Sequence, residues 1–217
     1  MRKAILIFIA IILALYAIGQ HIDTLQYRPS SFRQYMPQNE LNTFNLRQQQ
    51  INKRGMYALG TWGLGNIIYG AIAAPLSQGE VRVFHTTNAV WGTINFIIAV
   101  PGIVASYQKT RAMNLPFGKT ILLQHSSEKL YLINGALDFA YIGAGAALWG
   151  FSDRVANNST HIGMAGVGQS FVMQGGFLLI FDWTMFLVHS LHASQKLNRY
   201  TSGLAYTGTG ISYHLEF

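Results

Sequence analysis

The chain has 217 residues, of which 50% are hydrophobic and only 11% carry a charged side chain. Soluble domains average about 25% charged residues, so this composition is typical of a protein that spans a membrane. The absence of cysteine excludes disulfide bonds, iron–sulfur ligation and thiol catalysis. The net charge of +7 arises from Lys and Arg between apolar segments, and no basic run with interleaved aromatic residues points to a nucleic-acid partner.

The first nineteen residues form an apolar segment with a positive start. Arg2 and Lys3 precede 16 apolar residues that end at Gly19. A positive start and a short apolar run with small residues near its end are typical of a secretory signal peptide. An uncleaved anchor helix is the alternative, although the run is short for a bilayer span. We therefore assign 1–19 to a signal peptide or anchor helix.

Residues 20–53 form a polar, Gln-rich stretch. Leu41, Phe44 and Ile51 fit one face of an amphipathic helix at the membrane surface, whereas Leu46 lies off that face. A plain lead-in to the first span is the alternative.

Four long apolar segments follow, and their short connections favour antiparallel neighbours. The segments cover 55–76, 83–106, 130–150 and 163–190, and the connections cover 77–82, 107–129 and 151–162. We therefore predict an all-α fold, a multi-pass transmembrane four-helix bundle over 54–192. GLGNIIYG (63–70) aligns with GALDFAYI (135–142), which suggests two related helical hairpins, with chance similarity of Gly-rich helices as the alternative.

A polar tail, 193–217, follows the bundle. Ile211, Tyr213, Leu215 and Phe217 alternate with other residues, and this pattern predicts a short strand.

The expected location is a membrane, most simply the cell membrane of a bacterium, but two signals disagree about orientation. Eleven Lys and Arg fall on the side that holds 20–53, 107–129 and the tail, whereas the other side carries only Arg82 and Arg154. The positive-inside rule places the richer side in the cytoplasm. A signal peptide would place the same side outside, so the orientation stays open.

Polar residues within the last apolar segment share one face. At about 100° per residue, Asp182 and His189 lie within about 80° of Gln174 around the helix. Such side chains cost free energy in lipid, so this face is expected to point toward protein or a water-filled cavity. Asp138 is a second carboxyl within an apolar segment, and its alternative role is a hydrogen bond across helices.

Amide side chains accompany these carboxyl groups in the other segments. They either line a ligand cavity with tryptophan walls or join the helices by hydrogen bonds. The candidate binding residues are Trp62, Asn66, Asn95, Asn134, Asp138, Gln174, Asp182 and His189.

Motifs for enzymatic chemistry are missing. The sequence has no G-x-S-x-G elbow, P-loop or dinucleotide-binding turn, and no His-Glu-x-x-His. His189 and His192 are spaced to share a metal, but we expect no metal or other cofactor and predict no catalytic residue.

Two phrases, RGMYALGTWGLGNIIYG (54–70) and NAVWGTINFIIAVPGI (88–103), carry a family resemblance. The spacing of Trp62 to Asn66 and of Asn88, Trp91 and Asn95 resembles that of uncharacterised bacterial four-helix membrane proteins of unknown function. The resemblance implies a helical bundle and transfers no activity.

Three functions stay open at this point. The first is the binding or carrying of a small molecule in a polar cavity within the bundle. The second is a non-catalytic structural or assembly subunit, which engages a membrane-complex partner or a second copy. The third is a metal- or haem-dependent membrane enzyme.

Overall fold

The computed structural model describes residues 36–108 and 112–197, together with the backbone of 204–207 and 210–213. Its elements are α1 (Gln38–Leu76), α2 (Gly79–Ser106), α3 (Phe117–Ser152), α4 (Asn158–Lys196), β1 (Leu204–Thr207) and β2 (Gly210–Tyr213). The predicted bundle of four helices is therefore confirmed. The signal peptide or anchor predicted at 1–19 lies outside the described residues.

The helices form two hairpins, α1 with α2 and α3 with α4. The hairpins meet mainly through α2 and α4, whereas α1 touches α4 less and α3 least. The α2 and α4 helices begin at the same end of the bundle, where Glu80 lies 2.9 Å from the Nε2 atom of His161. The bundle is thus tightly joined at α2 and α4 and open between α1 and α4.

Three of the described helices, α2, α3 and α4, are long and apolar enough to cross a membrane. The α1 helix is not among them. Its apolar half carries Trp62, Asn66 and Tyr69 among several glycines, and this composition lowers its hydropathy.

The helices extend beyond the apolar segments that predict them. The α1 helix begins at Gln38, inside the predicted lead-in, and α3 begins at Phe117, inside the predicted connection 107–129. Hydropathy marks only the apolar part of a helix, so the first turns of α3 were not recognised. The amphipathic helix considered for 20–53 overlaps the first part of α1, in which Leu41, Phe44 and Ile51 are buried. The first turns of α1 and α3 pack against each other, and Asn45 donates from Nδ2 to Thr120 Oγ1 over 3.0 Å. A buried cluster of Met36, Leu41, Phe44, Ile121 and Leu197 seals this end.

Glycine pairs bring the helices of each hairpin close together. A Cβ atom on Gly92 would lie 2.5 Å from the Gly63 carbonyl oxygen, and one on Gly168 would lie 2.6 Å from the Gly145 oxygen. In both hairpins, therefore, the two helices cross at a pair of closely packed glycines. The sequence alignment, however, pairs Gly63 with Gly135, which faces the Trp183 indole instead of a helix crossing. The close-approach glycines of the two hairpins are therefore not the pair that the sequence alignment matches.

The tail contains an antiparallel hairpin in which Leu204 pairs with Tyr213 and Thr207 pairs with Gly210. The strand predicted in the tail is confirmed over Gly210–Tyr213, whereas its partner β1 was not predicted. Leu215 and Phe217 lie outside the described residues.

Candidate functional site

Gln174 of α4 is fully buried and joins three helices. Its Oε1 accepts a hydrogen bond of 2.8 Å from Trp62 Nε1 on α1. Its Nε2 donates to Asn66 Oδ1 on α1 and to Asn88 Oδ1 on α2, each over 2.9 Å. Both ends of the Gln174 amide are therefore occupied by protein groups.

Ser170, one turn before Gln174, completes this amide network by donating to Asn88 Oδ1 over 2.7 Å. Asn66 also donates from Nδ2 to the Trp62 carbonyl, which holds its amide in place over 2.8 Å. The predicted residues Trp62, Asn66 and Gln174 are thus brought together. The sequence analysis missed the role of Ser170, although its spacing of four residues from Gln174 places both on one helical face.

Asp138 and Asp182 form a second polar cluster, between α3 and α4. Their carboxyl groups face each other closely enough to interact, and Asn134 lies beside Asp182. Both residues are buried, with 2% and 4% of their surface exposed. The cluster fastens α3 to α4.

His189 belongs to a third cluster, nearer the end of α4. Its Nε2 lies 2.9 Å from Asn52 Oδ1, and its backbone oxygen accepts from Gln124 Nε2 over 2.8 Å. Because an amide oxygen only accepts, Nε2 carries the ring hydrogen. The neighbouring His192 donates from Nε2 to the Phe44 carbonyl over 3.1 Å. The two histidines therefore use their Nε2 atoms on different partners.

Asn95 is buried but joins none of these three clusters in the contacts of the described residues. Its Nδ2 has no hydrogen-bond partner within the described part of the chain. The eight predicted site residues are therefore distributed over several depths of the bundle. Within 36–108 and 112–197, no three His, Asp or Glu side chains converge in a way that would hold a metal ion.

A groove of about 670 Å³ lies between α1 and α4. It is lined by Tyr57, Ala58, Thr61, Trp62, Gly65, Asn66, Tyr69, Met173 and Phe177. The α1 residues recur every three or four positions, so one helical face forms most of the wall. From Tyr57 to Tyr69 the groove follows α1 for about 18 Å, at about 1.5 Å per residue.

The groove has an apolar wall and a fixed base. The Trp62 indole stacks on the Phe177 ring with centroids 3.9 Å apart and planes inclined by 7°. The polar atoms of Trp62 and Asn66 already make hydrogen bonds to Gln174 and to the backbone. No charged residue lines the groove among those described. The groove therefore offers mainly apolar contacts.

Most groove residues were not identified as site residues from the sequence. Only Trp62 and Asn66 belong to the predicted set, whereas Tyr57, Met173 and Phe177 do not. The sequence feature that could have identified the groove wall is a helical spacing, which places one set of residues on a single face of α1: Ala58, Thr61, Trp62, Gly65, Asn66 and Tyr69.

Comparison with known proteins identifies one family. A family model described as a family of unknown function, DUF6992, matches residues 58–183, more than half of the chain. No curated protein and no solved structure matches the chain. The matched region contains the amide network and the pair of Asp138 and Asp182.

Proposed function

The chain belongs to the DUF6992 family of unknown function, and we propose that it is a membrane-embedded protein that binds one lipid molecule in the groove between α1 and α4. The acyl chain of the lipid lies along the α1 wall from Tyr57 to Tyr69. The lipid is drawn from the surrounding bilayer.

The surface of the bundle supports placement in a bilayer. Three helices are long and apolar enough to cross a membrane, and large apolar side chains project from them and from α1. Leu76 is 82% exposed, Ile180 is 71% exposed and Tyr69 is 64% exposed. Soluble monomers seldom expose large contiguous apolar patches, so lipid is the natural environment of this surface.

The open space at Gly65 is the observation on which the proposal depends. A Cβ atom added at Gly65 would meet no atom within 4 Å, although this glycine lies midway along the groove wall. Most other glycines of α1 face a neighbouring helix closely. The groove wall therefore has unfilled space at Gly65, which an acyl chain can occupy.

The hydrogen bonds of Gln174 explain why the proposed ligand is a lipid and not a polar solute. Gln174 Oε1 accepts a hydrogen bond from Trp62, and Gln174 Nε2 donates to Asn66 and Asn88. A polar solute would have to replace these hydrogen bonds at a cost of about 1–3 kcal/mol for each group left unpaired. An acyl chain needs no hydrogen bond from these groups and packs against the apolar wall by van der Waals contact.

Native mass spectrometry of the full chain, purified in detergent, tests the proposal. Gly65→Phe places a bulky side chain on the groove wall, at a position where an added Cβ meets nothing within 4 Å. We expect the wild type to retain one lipid and Gly65→Phe to lose it. Gly143→Phe is the matched control, since Gly143 also has open space around it but lies on α3, away from the groove.

Equal lipid retention by wild type and Gly65→Phe contradicts the proposal. A second result would also contradict it: a dimer that contains no lipid and that Gly65→Phe dissociates. That result would assign the groove to a second copy of the chain and favour a structural subunit.

A further inference from the structure

Lys53, Tyr57 and Tyr107 form a compact group at one end of the groove, here called the basic end. The Nζ atom of Lys53 lies 3.6 Å from the centroid of the Tyr107 ring and 5.9 Å from that of Tyr57. The two phenol oxygens are 2.5 Å apart and share a hydrogen bond. Tyr57 also lines the groove, so the basic end is continuous with the apolar wall.

Gln49, one turn before Lys53, holds the basic end in place. Its Nε2 donates to the Gln108 carbonyl over 3.1 Å and to the Ala105 carbonyl over 3.4 Å. These bonds tie the end of α2 to α1, and Tyr107 lies between the two carbonyls in sequence. These hydrogen bonds therefore hold the turn of α1 that carries Lys53 next to the end of α2 that precedes Tyr107.

Among the described residues, no carboxylate forms an ion pair with Lys53. The ion pairs within 36–108 and 112–197 all involve histidine, and none includes Lys53. Its contacts there are the two aromatic rings. An ammonium group that lies over tyrosine faces, with no acidic partner in the described part of the chain, suits an anion from outside the bundle.

Tyr107 contributes a second donor to the same place. A hydrogen bond from Tyr57 and the adjacent Lys53 ammonium lower the pKa of the Tyr107 hydroxyl. When Tyr57 donates, the hydroxyl hydrogen of Tyr107 stays available to an outside acceptor. The basic end therefore offers hydrogen-bond donors from one lysine and one tyrosine.

We propose that the occupant of the groove is an anionic phospholipid whose phosphate binds Lys53 and Tyr107 while one acyl chain runs along α1 toward Tyr69. This inference rests on the proposed lipid-binding function and adds the class of head group. The site matches a phospholipid in both charge and shape, because a basic end that is rich in hydrogen-bond donors leads into an apolar groove about 18 Å long. Tyrosine and lysine are also the side chains that anchor proteins at the level of lipid head groups.

Competition between two lipids tests the inference on the full chain. Dioleoyl phosphatidylglycerol carries a net negative charge, whereas dioleoyl phosphatidylcholine has the same chains and no net charge. In native mass spectra of protein mixed with both, we expect the wild type to prefer phosphatidylglycerol. Lys53→Gln should reduce that preference about fivefold, and Lys53→Arg should keep it, given the attraction of one cation for anionic lipid.

Arg54→Gln is the matched control. Arg54 follows Lys53 directly and has the same charge, but a turn of about 100° around α1 separates their side chains. The preference for phosphatidylglycerol should survive in Arg54→Gln. Equal loss in Lys53→Gln and Arg54→Gln would show general surface attraction and overturn the inference.

The two proposals fail in different ways. If Gly65→Phe abolishes the binding of both lipids but neither lipid is preferred by the wild type, the groove binds lipid and the head-group inference is wrong. If Gly65→Phe leaves the binding of both lipids unchanged, the lipid-binding function itself is wrong.

Discussion

Trp62 and Gln174 meet across the bundle through a single hydrogen bond of 2.8 Å from indole Nε1 to amide Oε1. The bond couples the groove wall on α1 to the buried hub on α4. It also orients the indole so that its ring lies flat against Phe177. The shape of the groove therefore depends on a polar contact in the interior.

Gln174→Leu should loosen this connection. The substitution leaves Trp62 Nε1 without its acceptor and removes the donor to Asn66 and Asn88. We expect a loss of about 1–3 kcal/mol in the free energy of unfolding, the cost of stranded buried polar groups. Thermal unfolding in detergent measures it. Gln50→Leu, at an exposed position of α1, is the control, and similar melting temperatures for both variants would contradict the hub role.

The pair of Asp138 and Asp182 should behave as one unit. Asp138→Leu leaves Asp182 buried without its carboxyl partner, and Asp182→Leu leaves Asp138 in the same state. We expect each single variant to lose about 1–3 kcal/mol in the free energy of unfolding. The double variant should lose clearly less than the sum, because no carboxyl group is then left unpaired. Additive losses in the thermal unfolding of the four proteins would show that the two groups do not interact.

Gly92→Ala should separate the first hairpin. The new Cβ would lie 2.5 Å from the Gly63 carbonyl oxygen and 2.9 Å from the Ile67 nitrogen, and backbone atoms yield little. We expect a loss of about 1–3 kcal/mol from overpacking. Gly143→Ala, on an open face of α3, should instead gain up to about 1 kcal/mol from helix propensity. Melting temperatures that move in the same direction would refute the assigned close approach.

Asn157 should stabilise the start of α4. Its Oδ1 accepts a hydrogen bond of 3.0 Å from the Thr160 backbone nitrogen, which caps the helix. Asn157→Ala should cost about 0.5–2 kcal/mol of unfolding free energy, whereas Asn157→Asp should keep the cap. Asn158→Ala, inside the first turn, provides the comparison. A cap role would be untenable if Asn157→Ala unfolded at the wild-type temperature.

The sequence predicted which residues of α4 face inward because helical periodicity is a local property. Gln174, Asp182 and His189 were assigned to one face, and all three are buried. It also predicted the number and order of the helices, since long apolar segments and short polar connections are visible without a partner. The lengths were less predictable, because the polar first turns of α1 and α3 are stabilised by packing on each other and on α4, as Asn45 does on Thr120 and Phe44 does on His192.

The amino-acid sequence by itself determined four helices, their apolar character and the inward face of α4, because composition and a period of 3.6 residues follow from neighbours along the chain. The tertiary structure alone decided that Gln174 bonds to Trp62, that Asp138 lies near Asp182, and that α1 packs less extensively on α4 than α2 does. These relationships depend on which helices are adjacent and at what depth. Close approach at Gly63 and Gly92 binds α1 to α2, and the opposite side of α1 is left to form the groove.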